Sequence, residues 1–153
     1  MKFIKHFILF LIINFAALGF GILLMADGPK SDWYVQLNQA PWTPDDWVFG
    51  ATWTSIMICF SIYMTFLYLK RPTRKVITLF VIQFILNVNW NFLFFNQKLI
   101  VVALVNIILL TILIFAFLIT YFKDLKAKSL LILPYFIWLC IATSLNLYIL
   151  IHN

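Results

Sequence analysis

Charge is scarce in this chain. Asp, Glu, Lys and Arg together make up 10% of its 153 residues, whereas a soluble domain devotes about a quarter to solvating its surface. With 65% hydrophobic residues and a mean hydropathy of +1.03, an ordinary water-soluble fold is excluded and a polytopic membrane protein is expected. No Asp, Glu, Lys or Arg interrupts the long apolar runs. Pumps and coupled antiporters commonly keep an ionisable group there, because its titration or ion pairing drives the cycle; the lack of one argues against that class. Cysteine is equally sparse. Cys59 and Cys140 lie deep inside apolar runs, which excludes a disulfide-stapled secreted fold and reads as two small buried hydrophobes. His6 and His152 sit at opposite ends, and no Cys or His cluster has ligand spacing, so no metal site is expected. No hydrolytic triad, nucleotide loop, internal repeat or low-complexity tract is present.

What is there is length of apolar sequence. Charge-free runs of spanning length occur near 7–25, 47–69, 76–95, 99–122 and 129–151. The expected fold is a single all-α domain over 1–153, a bundle of five transmembrane helices with a long interfacial first loop. The first run follows Lys2, Lys5 and His6, as a signal peptide would. Its apolar stretch is longer than a typical signal core, and Leu24-Met25-Ala26 is a poor cleavage site, so it reads as a retained helix. Nine basic residues fall on one side of the alternating topology (Lys2, Lys5, Lys70, Arg71, Arg74, Lys75, Lys123, Lys126, Lys128) and two on the other (Lys30, Lys98). By the positive-inside bias the N-terminus is cytoplasmic and the C-terminus outside. The net charge of +6 is confined to these flanks, so topology explains it and no nucleic acid is expected.

The first loop, 26–46, carries Asp27, Asp32, Asp45 and Asp46 together with Trp33, Tyr34 and Trp42, with Trp47 just beyond. Such aromatic content suits a segment lying at the membrane interface. Thr43, Pro44 and Asp46 form a capping-box pattern that predicts a helix starting at Pro44.

Amides stand where charges do not. Gln83, Asn87 and Asn91 share a stripe at successive i+4 spacings, with Trp90 beside them; Asn106 and Asn146 follow on the next two runs. Intramembrane amides either bond helix to helix or face a shared cavity and read polar atoms of a ligand. Near the C-terminus, Tyr135, Trp138, Ala142 and Asn146 fall on one helical stripe. A small residue between rings and an amide can shape a pocket for a flat apolar molecule. Trp53 and Trp138 lie far enough from the ends that an indole N–H needs a partner, and both are pocket candidates. Small residues (Ala16, Ala17, Gly19 and Gly21 on the first run; Gly50, Ala51, Thr54 and Ser55 on the second) permit close helix approach within or between chains.

Taken in order, several segments resemble the TspO/MBR family, the tryptophan-rich sensory or translocator proteins. They are Trp33-Tyr34 with Leu37, Trp42-Thr43-Pro44, and Trp47-Val48-Phe49-Gly50 leading to Trp53. They continue with Gln83, Asn87 and Trp90 ahead of Phe94-Phe95, and with Pro134-Tyr135, Trp138, Ala142-Thr143, Leu145-Asn146 and Asn153. The resemblance covers most of the chain. It implies a five-helix bundle, usually dimeric, whose first loop covers a pocket between helices. Members bind porphyrins and, in animals, cholesterol and benzodiazepine-type ligands.

Carried over by position, Trp53 and Trp138 match tryptophans lining that pocket, and Tyr34, Asn87, Trp90 and Ala142 match other lining positions. The expected ligand-binding set is Tyr34, Trp42, Phe49, Trp53, Gln83, Asn87, Trp90, Phe94, Trp138, Ala142, Leu145 and Asn146. The chain also departs from the pattern. Gln39-Ala40 and Pro44-Asp45 replace the Lys-Pro and Pro-Pro of many members. Asn106 stands where many carry Asp, and after Tyr148 only His152 offers the base of the sterol motif. A looser match at Leu118, Tyr121 and Lys123 is weak, so specific sterol recognition is not expected.

The expected function is a porphyrin-binding protein of the bacterial cytoplasmic membrane, acting as translocator, sensor or regulator. Protoporphyrin IX is the expected ligand, no cofactor is required, and the partners are lipid and a second copy. Two alternatives stand beside it. One is light- and oxygen-dependent porphyrin degradation, with Trp53 and Trp138 as indole partners and no other catalytic residue. The other is a regulatory membrane subunit without a ligand of its own.

Overall fold

The computed structural model describes all 153 residues. Helix α1 spans Lys2–Leu24, the single-turn α2 Asp32–Val35, α3 Asp46–Lys70, α4 Arg74–Asn91, α5 Ile100–Leu125 and α6 Leu133–His152. Local chemistry marks several of the boundaries. Thr73 Oγ1 accepts from Val76 N at the start of α4 (3.4 Å), filling one orphan donor. Pro134 occupies the first turn of α6, where its missing N–H costs nothing. Helix α1 gives way to a left-handed turn at Ala26 (φ 54°) and Gly28 (φ 53°), and at Gly28 only glycine adopts this readily.

Four helical stretches are long and apolar enough to cross a membrane: Lys2–Lys30, Asp46–Lys70, Arg74–Asn96 and Ile100–His152. The last runs to 53 residues, about 80 Å if straight at 1.5 Å per residue, far beyond a hydrocarbon core of about 30 Å. It is not straight. The 3₁₀ segment Lys126–Ile132 reverses the chain, beginning at Lys126 with φ 52° and ψ −125°. Thereafter α6 runs antiparallel to α5, with Phe136 against Phe115, Thr143 against Thr111, and Asn146 Nδ2 donating to Ile100 O at 3.3 Å.

The helices close into a ring. α1 lies between α3 and α4, α4 packs on α5, α5 on α6, and α6 returns to α3. Ile12, Val101, Val105, Ile112, Ile119 and Ile137 remain exposed on the outside. So continuous an apolar exterior is what lipid solvates and water does not; the chain is an all-α membrane protein. Phe3 against Phe66 and Arg71 against Asp124 bring the basic segments to one end of the ring. That half is filled by Phe60, Tyr63, Leu67, Val76, Phe80, Ile114 and Phe117.

Two local expectations are corrected. Helix α3 begins at Asp46, not Pro44, and its N-cap Asp45 (φ −60°, ψ 151°) makes no side-chain capping bond. Trp42 is tied to α6 by Ser144 and Tyr148, so the chain stays out of the helix from Thr43 to Asp45 while it crosses to α3. Cys140 is exposed on the outer face of α6 and Cys59 is half-buried. In an apolar solvent a thiol gains nothing by pointing inward.

Candidate functional site

At the end opposite the basic segments the ring is not filled. A cavity of about 310 Å³ lies between the C-terminal half of α1, the first turns of α3, the end of α4 and the C-terminal half of α6. Helix α1 contributes Ala17, Leu18 and Ile22, and the first loop lays Pro29 and Tyr34 over the opening. Ring and amide groups face one another across it: Phe49 and Trp53 from α3, Asn87, Trp90 and Asn91 from α4, Asn146 from α6. The i+4 spacing of Asn87 and Asn91 places both amides on the inner stripe.

The α4 wall has an irregular end. Over Phe92–Asn96 the helix widens into a π turn, with Gln97 N donating to Phe92 O at 2.9 Å. Extra residues of this kind appear at functional sites. The turn lets Phe94 stack flat on Trp90 (5.1 Å between centroids, 10°) and sets Phe95 edge-on to both. Trp33 and Tyr34 of the loop pack edge-on against Phe94, and Tyr34 also against Phe95. Lys98 Nζ sits 5.7 Å from the Trp33 ring. The lid is therefore seated on an aromatic cluster.

The loop has a second fastening. Asn38 N donates to Asn153 Oδ1 (2.8 Å), Asn153 Nδ2 donates to Asn38 O (3.3 Å), and Asn38 Nδ2 donates to His152 O (3.0 Å). Trp42 Nε1 donates to Ser144 Oγ at 3.1 Å, its ring edge-on to Tyr148. Tyr34 is held protonated above the ordinary tyrosine range, first by burial and then by the nearby charge of Asp46. Asp46 is the cavity's single acidic lining residue, and no Lys or Arg lines it.

Of the twelve residues singled out from the sequence, the structure gathers nine around this cavity: Tyr34, Phe49, Trp53, Asn87, Trp90, Phe94, Ala142, Leu145 and Asn146. Trp138 is buried behind them, edge-on to Phe49 (5.4 Å), and lines an adjoining recess of about 50 Å³ with Asn87, Asn91 and Ala142. Its Nε1 has no hydrogen-bond partner in the chain. Gln83 lies deeper, donating from Nε2 to the Tyr135 hydroxyl at 2.8 Å. Trp42 lies outside the cavity, half exposed on the loop.

The other amides divide between the two roles open to them. Asn106 Nδ2 donates to Leu86 O at 2.8 Å, joining α5 to α4. Asn146 does both, accepting from Trp90 Nε1 (3.1 Å) while it lines the cavity. Residues outside the expected ligand-binding set also line the wall, among them Asn91, Thr54, Gly50 and Phe95. Asn91 continues the Gln83–Asn87 stripe, a signal that was present. The α1 contribution is purely apolar and carries no such signal.

Comparison with known proteins agrees with this architecture. The model of the TspO/MBR family matches residues 9–152. A tryptophan-rich protein TspO of Chlorobaculum tepidum is 32% identical over 141 residues, 90% of this chain and 89% of its own length. Another, from Archaeoglobus fulgidus, is 30% identical over 139 residues, 90% of each chain. The Homo sapiens translocator protein is 28% identical over 119 residues, 74% of this chain and 70% of its own. With the family model spanning helices α1 to α6 and the whole cavity wall between them, the chain belongs to the TspO/MBR family.

Proposed function

We propose that the protein crosses the membrane five times and binds a porphyrin, with protoporphyrin IX as the test ligand, in the cavity between its helices. In this reading it serves as a translocator, sensor or regulator of tetrapyrroles. The observation that carries the proposal is the ring-and-amide lining under the first loop: Trp53, Trp90 and Phe49 with Asn87, Asn91 and Asn146. A mostly apolar hollow with a few placed polar groups is the usual form of a small-molecule site, and about 310 Å³ is near the small end of that range. A macrocycle therefore sits with part of its rim in the opening beside α1 and Pro29. Reading Ile100–His152 as two crossings rests on the antiparallel packing of α5 and α6, and the first loop then lies at the interface with Trp42 and Trp47 exposed. The N-terminus is cytoplasmic in this arrangement, and a second copy packs on the outer helix faces.

Stacking on aromatic faces adds about 0.5–1.5 kcal/mol per pair beyond area. Burial of the ring at ~25 cal/mol/Å², set against the cost of association, leads to roughly micromolar affinity. The test is a titration of the purified protein with protoporphyrin IX, read by quenching of indole fluorescence, beside a sterol. Wild-type protein binds the porphyrin and not the sterol. Trp53→Phe combined with Trp138→Phe weakens binding; unchanged affinity in that variant removes the site.

A further inference from the structure

We infer that the basic end of the bundle holds an anionic phospholipid by its phosphate, in a groove between the end of α3 and the turn that joins α5 to α6. The groove has a volume of about 660 Å³, and Lys70, Lys126 and Lys128 stand around it. Its single acid, Asp124, is already engaged. Arg71, outside the groove, grips that carboxylate with two bonds, Nε to Oδ2 at 3.1 Å and Nη2 to Oδ1 at 2.9 Å. The three ammonium groups are left without a countercharge in the groove.

Two of the three are held in place. Lys70 Nζ donates to the Asp124 carbonyl, closing the end of α5, and an ammonium has two further N–H groups to offer. Lys128 Nζ lies 3.9 Å above the centre of the Phe66 ring, a cation–π seat. Lys126 occupies a positive φ of 52°, a conformation that L side chains rarely adopt and that clusters at binding sites.

The floor selects the form of the phosphate. Phe66, Leu69 and Leu125 line the groove beneath the lysines, and Leu69 and the neighbouring Phe122 are exposed on the apolar exterior. A phosphodiester in the groove therefore has a path for acyl chains running down the outside of α3 and α5. Free phosphate gains nothing from that surface, and a zwitterionic headgroup brings its own cation to the lysines. Clusters of lysine at the rim of membrane helices attract anionic lipid by about 1 kcal/mol each.

The test uses the full chain in neutral detergent micelles and measures binding of a fluorescent phosphatidylglycerol. Phosphatidylcholine and inorganic phosphate serve as competitors. Unlabelled phosphatidylglycerol displaces the probe, and the other two do not. Lys126→Gln with Lys128→Gln weakens binding roughly 30-fold, the effect of two lysines. Arg74→Gln with Lys75→Gln removes the same charge from the same end but outside the groove, and changes binding less than threefold. Lys128→Arg, which keeps charge and ring contact, stays within threefold of wild type and shows that the position tolerates change. Equal losses in the two double variants would make the attraction diffuse and overturn the site. Displacement by millimolar phosphate would overturn the lipid assignment, and displacement by phosphatidylcholine would overturn charge selection.

Discussion

The reciprocal amide clamp between Asn38 and Asn153 makes the first loop a fastened lid, and its strength can be worked out. Asn153→Ala deletes the acceptor for Asn38 N and the donor to Asn38 O, and leaves Asn38 Nδ2 to His152 O and Trp42 Nε1 to Ser144 Oγ intact. A hydrogen bond contributes about 0.5–1.5 kcal/mol net. Both Asn residues are exposed, so water replaces part of what is lost, and the two together are worth about 1–2 kcal/mol. That raises the population of the open loop roughly 5- to 30-fold. Local opening is read directly by amide hydrogen exchange. In detergent, peptides covering 31–43 exchange faster in Asn153→Ala by that factor, while those within α5 are unchanged. Asn153→Asp keeps the acceptor and loses the donor, and falls between. Exchange in the loop within twofold of wild type for Asn153→Ala would show that the remaining fastenings (the aromatic seat on Phe94 and Phe95 and the bonds to His152 O and Ser144 Oγ) hold the lid without it, and would refute the clamp.

Three further outcomes follow from the same coordinates. Tyr135→Phe strips the buried Gln83 of its one partner and lowers thermal stability by about 0.6–2 kcal/mol; Gln83→Leu with Tyr135→Phe, which removes both polar ends, recovers most of it. Gly21→Ala places a methyl 2.6 Å from Asn91 Nδ2, the far end of a side chain that can swing away, whereas Gly19 has nothing within 4 Å. Gly21→Ala therefore keeps the fold and weakens porphyrin binding about fivefold, one hydrogen bond's worth, with Gly19→Ala neutral in the same titration. Because the Tyr34 phenol is raised by burial and by Asp46, the native state holds its proton more tightly than the unfolded chain. Its stabilisation is complete below about pH 10, the unfolded value, and is lost as pH rises through the folded one. Thermal melts from pH 8 to 11 show a smaller alkaline decline in Tyr34→Phe, and an equal decline would contradict the assignment.

Much of this architecture was legible because lipid simplifies the code. Where almost every position is apolar, amides repeating at helical spacing mark an inner face, so Gln83, Asn87 and Asn146 reported a shared interior, while the lone Asn89 on α4 is exposed. Tyr135 and Trp138 did the same at their i+3 spacing. Cys140 shows the limit of the rule, because a thiol is weakly polar enough to face lipid without penalty. Other features depend on tertiary fastening. The start of α3 at Asp46 follows from Trp42 being anchored on α6, which no local capping pattern records. Asn14, fully buried and bonded to Ser61 Oγ at 2.8 Å, went unremarked because a single amide in an apolar run has no periodic partner. The α1 wall of the cavity has no signature either, since Ala17, Leu18 and Ile22 are indistinguishable from lipid-facing neighbours by composition.

The widened turn at Phe92–Asn96 also sets how this chain tolerates length changes. It stores one residue of slack between two otherwise regular rods. Excising a single residue there would let the rod continue with ordinary winding, swinging everything beyond the cut by about 100° per residue. The aromatic platform beneath the lid would turn away, while an equal deletion in the irregular segment 43–45 before α3 would only shorten a tether. The hollow is thus indexed to a miscount in the helix, and a more regular rod would be a closed one.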